Sequence, residues 1–194
     1  MPIPAGDHQV TITAVNDPKT VVFDAKVTFK GGSAVTVVAE GQLADKTFAV
    51  RIFTDDVSAT KGKARVIVIH AIPDAGNVDV VTADFKTVLV DNLPFGSSMT
   101  LDVPAGKYDL VVVPHGKKDV VFDLKGSKLD ADMIYTLVAT GKLTGKDAVK
   151  VKLLAYVTLP VPGFLPPPIA TMAPTMSATM KATMAGTMAA TPKK

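Results

Sequence analysis

The chain repeats part of itself at a spacing of about 100 residues. Three segments return in the same order, residues 3–6 at 103–106, residues 21–24 at 120–123, and residues 34–43 at 134–143. The offset stays at 99 or 100 in all three, which chance similarity between valine-rich strands would not maintain. Self-similarity held at a fixed spacing indicates a tandem duplication.

The duplication begins in the middle of a unit. The second copy extends over residues 64–157, whereas the first starts at the equivalent of Val103. We therefore expect one and a half domains. A truncated start would explain the missing half. Alternatively, the half-unit packs on the second domain, or it takes strands from a neighbouring subunit in a head-to-tail assembly.

Both copies show the alternation of β-strands. Val10, Ile12 and Ala14 alternate with Thr11 and Thr13, a period of two with one polar face. The second copy contains about eight such runs, near residues 65–71, 77–82, 86–91, 98–102, 107–113, 119–125, 133–140 and 148–157. Short strands separated by turns predict an all-β chain of tandem immunoglobulin-like antiparallel β-sandwiches, with the first copy incomplete.

We divide the chain into five segments on this basis. They are an incomplete repeat over residues 1–56, a linker over 57–63, a complete repeat over 64–158, a proline-rich connector over 159–168, and a Thr-Met repeat tail over 169–194.

Composition and charge exclude several classes of protein. The chain has no cysteine, so disulfides and thiolate metal sites are absent. The net charge of +3 comes from three lysines of the tail, and the scattered charges of residues 1–158 balance, so we expect no nucleic-acid partner. No run of eighteen or more apolar residues predicts a membrane span. Residues 1–6 also lack the basic region and the following apolar run of a signal peptide.

His70, Asp74 and Asp79 form a cluster that mixes an imidazole with carboxylates, and they are weak candidates for metal ligands. The structural alternative, which we favour, is that His70 ends a strand, Asp74 caps the turn over residues 73–76, and Asp79 faces solvent. Phe95 is expected to close the end of the sandwich, or else to contact a partner.

No motif of an enzyme is present. The sequence lacks a phosphate-binding loop, a nucleophile elbow and a paired catalytic base. We therefore expect no catalytic residues, no cofactor and no enzymatic activity.

Methionine recurs every fourth residue in the tail, each preceded by threonine, at Met172, Met176, Met180, Met184 and Met188. We favour a disordered spacer, O-glycosylated if the protein is secreted. The alternatives are an arm that contacts a partner through its methionines, and a soft-metal site for Cu(I) formed by the thioethers.

The second copy resembles a known family through three motifs. These are residues 65–80, which begin Arg-Val-Ile-Val-Ile-His-Ala-Ile-Pro-Asp-Ala-Gly, residues 92–96, Asn-Leu-Pro-Phe-Gly, and residues 101–108, which contain Pro-Ala-Gly-Lys-Tyr. In this order and spacing they resemble the bacterial domain-of-unknown-function family numbered 4397. The resemblance implies a secreted or surface-attached protein with tandem domains, and it supplies no site residues.

Taken together, these features favour a non-enzymatic extracellular or cell-surface protein that serves in structure, adhesion or assembly, including filament formation. Its expected partners are other protein subunits or cell-envelope components. The alternative is a ligand-binding module for carbohydrate or soft metal that uses the loops at one end of the sandwich.

Overall fold

The computed structural model of the chain describes residues 3–15, 17–43, 47–58, 60–144 and 152–158. These ranges form strands and no helix. The strands are β1 (Gly6–Ala14), β2 (Asp17–Phe29), β3 (Ala34–Glu40), β4 (Ala49–Asp55), β5 (Lys63–Ala71), β6 (Val78–Thr82), β7 (Val88–Leu93), β8 (Ser98–Pro104), β9 (Gly106–Pro114), β10 (Phe122–Leu129), β11 (Ile134–Thr140) and β12 (Lys152–Thr158).

The second unit is a complete sandwich of two four-stranded sheets. One sheet has the order β10-β9-β6-β7 and the other β12-β11-β5-β8. Alternate side chains of both sheets point inward and form one apolar core, in which Val66, Val80, Val112 and Leu137 are buried together. The prediction of an all-β sandwich fold is therefore confirmed.

One pair of strands departs from the antiparallel pattern. β5 runs parallel to β11, with Arg65 opposite Ile134 and Ala71 opposite Thr140. β5 is apolar on both faces, because Val66 and Val68 face the sandwich core and Ile67 and Ile69 face outward. Such continuous burial is typical of a strand in a parallel pair.

The first unit consists of two hairpins. β1 pairs with β2, and β3 pairs with β4. At the offset of 100 residues, β1 coincides with β9 and β3 with β11. In the second unit β9 also pairs with β6, and β11 also pairs with β5. Within the described residues, β1 and β3 have no such second neighbour, so each has an open edge.

A β-bulge in β10 explains why the offset changes from 99 to 100. Ser127 pairs with Tyr108 and Leu124 pairs with Leu110, so two residues, Lys125 and Gly126, lie opposite the single Asp109. The first unit has no bulge at this place, because β2 stays in register from Phe29 to Phe23. The second copy therefore carries one extra residue in this strand.

Candidate functional site

The most unusual surface of the molecule is the half-open first unit, which we define as the β1–β2 and β3–β4 hairpins with their unpaired edges. Its inner face is apolar but uncovered, since Val37 is 44% exposed and Ile52 is 43% exposed. The equivalent of Val37 in the second unit is Leu137, which is 9% exposed. Open strand edges beside an apolar face are a template for pairing with another polypeptide.

The opposite face of the β3–β4 hairpin packs on the second unit. Val38 and Phe53 contact an apolar patch formed by the outer side of β5 and β11, which includes Ile67, Ile69 and Val138. Val38 and Val138 are equivalent positions of the two copies, so the units meet through the same face of the repeat. This contact fixes the β3–β4 hairpin to the second unit.

A polar group lies at the edge of this contact. The guanidinium of Arg51 donates to the buried carboxylate of Glu40, and it also lies over the ring of Phe95 at 5.5 Å from the centroid. Phe95 contacts the ring of His70 edge-on. Phe95 therefore lies at the junction of the two units, half-buried, where it contacts the first.

Two buried carboxylates of the first unit are incompletely paired. Asp55 accepts a hydrogen bond from the Thr36 hydroxyl at 2.6 Å, and Glu40 is bonded to Arg51. One oxygen of each carboxylate has no hydrogen-bond partner. Burial raises the pKa of Asp55, and it raises the pKa of Glu40 in spite of Arg51.

The segment between the units is held by Arg65. Its guanidinium pairs with Asp102 at 2.8 Å and with Asp56 at 2.7 Å, and it donates to the Ser58 hydroxyl. Thr60 donates to Asp102 as well. Because Arg65 and Asp102 belong to β5 and β8, the connection between the repeats is fastened to the second unit.

His70 lies near the end of β5, as expected, and it is fully buried. Its Nε2 lies 2.7 Å from the carbonyl oxygen of Gly76, and the Ile72 N–H points at its Nδ1. Nε2 must therefore carry the proton. Burial lowers the pKa of His70, so the ring is neutral and serves to hold the turn over residues 73–76.

The carboxylate of Asp74 bonds chiefly to the loop after β11 rather than to its own turn. It accepts hydrogen bonds from the Leu143 N–H at 2.9 Å, and from the N–H and hydroxyl of Thr144 at 2.8 Å each. Burial by itself raises the pKa of Asp74, but these hydrogen bonds outweigh it and the pKa is lowered.

The prediction that Asp79 faces solvent is wrong, because Asp79 is buried. It accepts hydrogen bonds from the Asn92 N–H at 2.7 Å and from Nδ1 of His115 at 2.9 Å. Burial alone raises the pKa of Asp79, and these hydrogen bonds lower it overall. The bond to Asp79 raises the pKa of His115.

The structure does not bring His70, Asp74 and Asp79 together. In the described part of the chain, one trio has the spacing of metal ligands, namely Asp79, Asp91 and His115, with ligand atoms within 4.8 Å of one another. No local pattern in the sequence indicates Asp91 and His115, because they reach Asp79 only through the pairing of β6 with β7 and β9. The methionines of the tail lie outside the described residues.

None of the described residues forms a helix long and apolar enough to cross a membrane. The fold and the half-open unit define a tandem β-sandwich protein with one complete and one incomplete repeat.

A family model described as "Domain of unknown function (DUF4397)" matches residues 1–81 and 64–162. The chain therefore belongs to this family, with one and a half copies of its domain. A search of the curated proteins found no match.

Among solved structures, the chain is similar to the C-terminal domain of AlgF from P. aeruginosa, determined with CS-Rosetta. The two share 26% sequence identity, over 50% of this chain and 100% of that domain, with a TM-score of 0.41.

Proposed function

We propose that this protein is a non-enzymatic structural module of the bacterial cell surface, and that its half-open first unit serves in assembly. Strands from another polypeptide complete the first unit, and in the simplest case they come from a second copy of this chain. The observation that supports this proposal is the exposed inner face of β3, where Val37 is open to solvent although its equivalent Leu137 is buried.

The second unit indicates what the completing strands must supply. β9 has an antiparallel neighbour in β6, and β11 has a parallel neighbour in β5. Strands of the same kind beside β1 and β3 would satisfy the open backbone edges and cover Val37. Burial of apolar surface stabilises such a contact by roughly 25 cal/mol per Å².

The contact with the second unit keeps the β3–β4 hairpin from covering its inner face with the rest of its own unit, which favours assembly with a partner. Val38 and Phe53 fix the β3–β4 hairpin by its outer face, so within the described residues Val37 and Ile52 on its inner face stay exposed. A pre-formed edge loses less conformational entropy on pairing than a flexible segment does.

Light scattering over a wide concentration range tests the proposal. We expect association that increases with concentration, and we expect Val37→Asp to abolish it by placing a charge on the inner face. The matched control is Val88→Asp, which changes an exposed valine of the second unit and should leave association unchanged.

A chain extended before Met1 by a copy of residues 63–104 provides a second test. The added strands should complete the first unit, slow hydrogen exchange of the β1 and β3 amides, and suppress self-association. A wild-type chain that stays monomeric, together with an extension that gives no protection, would contradict the proposed assembly role.

A further inference from the structure

The complete sandwich of the second unit contains an apolar cavity of about 260 Å³ between its two sheets. Its lining includes the aliphatic side chains of Val66, Val68, Val80, Val90, Leu110 and Leu137. The cavity follows from the sequence, because the inward positions carry mostly valine and the chain has no tryptophan and only 6% aromatic residues. Side chains of this size do not fill the space between the sheets.

The cavity is large for the core of a small domain. Interiors are normally packed with few voids larger than a water molecule. An engineered apolar cavity of roughly 150 Å³ stays dry and takes up benzene. The cavity of this sandwich exceeds that volume, and its lining is almost entirely apolar, so an apolar ligand would replace lost packing contacts there.

The cavity reaches the surface beside the bulge of β10. Leu124, Ser127 and Lys128 line it at this place, and Lys128 is 67% exposed. The extra residue of the bulge turns the strand here, with Gly126 at a φ of 68° and its N–H donating to Asp109 at 2.7 Å. Bulges in edge strands commonly lie beside binding sites, where they redirect a side chain.

We propose that this cavity binds a medium-chain aliphatic carboxylate, with the chain between the sheets and the carboxylate at the ammonium of Lys128. The volume exceeds the roughly 150 Å³ of a cavity that takes up benzene, so it can hold an alkyl chain of medium length. Lys128 already pairs with Asp130 at 2.8 Å, but an ammonium group has three N–H donors, so it can bind a second carboxylate.

Calorimetric titration of the full-length protein with octanoate tests the site. We expect saturable binding, and we expect Val80→Phe to weaken it at least ten-fold because the larger ring fills the cavity. The matched control is Val81→Leu, the next residue of β6, which is equally buried but lies on the outer side of the sheet. Its octanoate affinity should equal that of the wild type.

The melting temperature distinguishes a loss of octanoate affinity caused by a filled cavity from a loss caused by misfolding of the variant. Because Val80 lines the cavity and a larger ring can extend into it, Val80→Phe should keep or raise the melting temperature of the second unit. The site is overturned if octanoate gives no saturable binding, if a folded Val80→Phe variant binds as tightly as the wild type, or if Val81→Leu loses as much affinity.

Lys128→Ala tests the position of the carboxylate. This variant should weaken octanoate several-fold and leave the affinity for octanol unchanged. If both ligands lose affinity equally, or neither does, the assignment of the carboxylate to Lys128 is wrong.

Discussion

The two units of this protein share a strand pattern but differ in what covers it. Val37 and Leu137 occupy equivalent positions at the centre of β3 and β11, and only Leu137 is buried. No side chain of β1 or β2 is fully buried, whereas β9 contributes Leu110 and Val112 to the core. The alternation within a strand thus predicts which face is apolar. Whether that face is buried depends on the neighbouring strands.

The outer faces of the two units do not differ in this way. Val38 and Val138 are both buried, in one shared cluster. The same face of the repeat therefore forms a contact in both copies, and the difference between the units is confined to the inner face and the open edges.

Truncation of equivalent side chains should show the largest difference between the units. Leu137→Ala should lower the free energy of unfolding by about 3 kcal/mol, because the side chain is buried and its truncation enlarges the cavity between the sheets. Val37→Ala should cost less than about 1 kcal/mol, because the side chain is half in solvent. Urea denaturation measures both.

Val112→Ala is the control for side-chain size, since it makes the same deletion as Val37→Ala at a buried position. Equal losses for Val37→Ala and Val112→Ala would mean that the first unit is as well covered as the second.

Gly96→Ala tests the junction between the units. Gly96 has a φ of 71°, and an added Cβ would lie 2.2 Å from Nε of Arg51. The backbone strain and the displaced guanidinium together should cost about 2–3 kcal/mol. Thermal unfolding gives the value.

Gly116→Ala separates the two causes. Gly116 has a φ of 73° and open space at its Cβ position, so the variant should show the backbone strain alone, about 1–2 kcal/mol. If both variants lost the same stability, the contact of Gly96 with Arg51 would contribute nothing.

The pH dependence of stability should differ between Asp55 and Asp7. The raised pKa of Asp55 means that the folded state holds its proton more tightly than the unfolded state. Its favourable contribution is present below its ordinary pKa and is lost as pH rises through the raised pKa. Urea denaturation at several pH values should therefore show Asp55→Asn gaining on the wild type from acidic to neutral pH.

Asp7 provides the opposite sign. The hydrogen bond from Lys26 lowers the pKa of this exposed carboxyl, so its contribution is lost as pH falls. Asp7→Asn should therefore fall behind the wild type toward neutral pH. The same slope for both variants would contradict the burial of Asp55 at the contact.

The smallest expected effect concerns two histidines of the second unit. The bond to Asp79 raises the pKa of His115, and burial lowers that of His70. An NMR titration should show His115 taking up its proton at the higher pH. Asp79→Asn should lower the pKa of His115 and leave the pKa of His70 unchanged. If the pKa of His115 did not fall, the hydrogen bond between Asp79 and His115 would be contradicted.

Much of the fold could be predicted from the sequence, because alternation and turn residues are local signals. The eight strands of the second unit follow the predicted runs, with the largest displacement in β10, predicted at 119–125 and found at Phe122–Leu129. Its bulge places an extra residue in the strand, and no local pattern marks such a shift in register.

The surroundings of single polar residues could not be predicted in the same way. Asp79 lies between Val78 and Val80, so alternation correctly places it on the outer side of β6. It is buried because Asn92 and His115 approach from β7 and from the end of β9. The partners of a side chain are set by strand order, which the sequence of one strand does not contain.

The parallel pairing of β5 with β11 also determines the order in which β5 can acquire its neighbours during synthesis. β5 meets β8 first along the chain, but its other neighbour begins about 70 residues after it. At roughly 5–20 residues per second, a ribosome needs several seconds to supply that partner. During this time the apolar run Val66–Ile69 has one open side, so we expect it to be the segment that chaperones hold during synthesis.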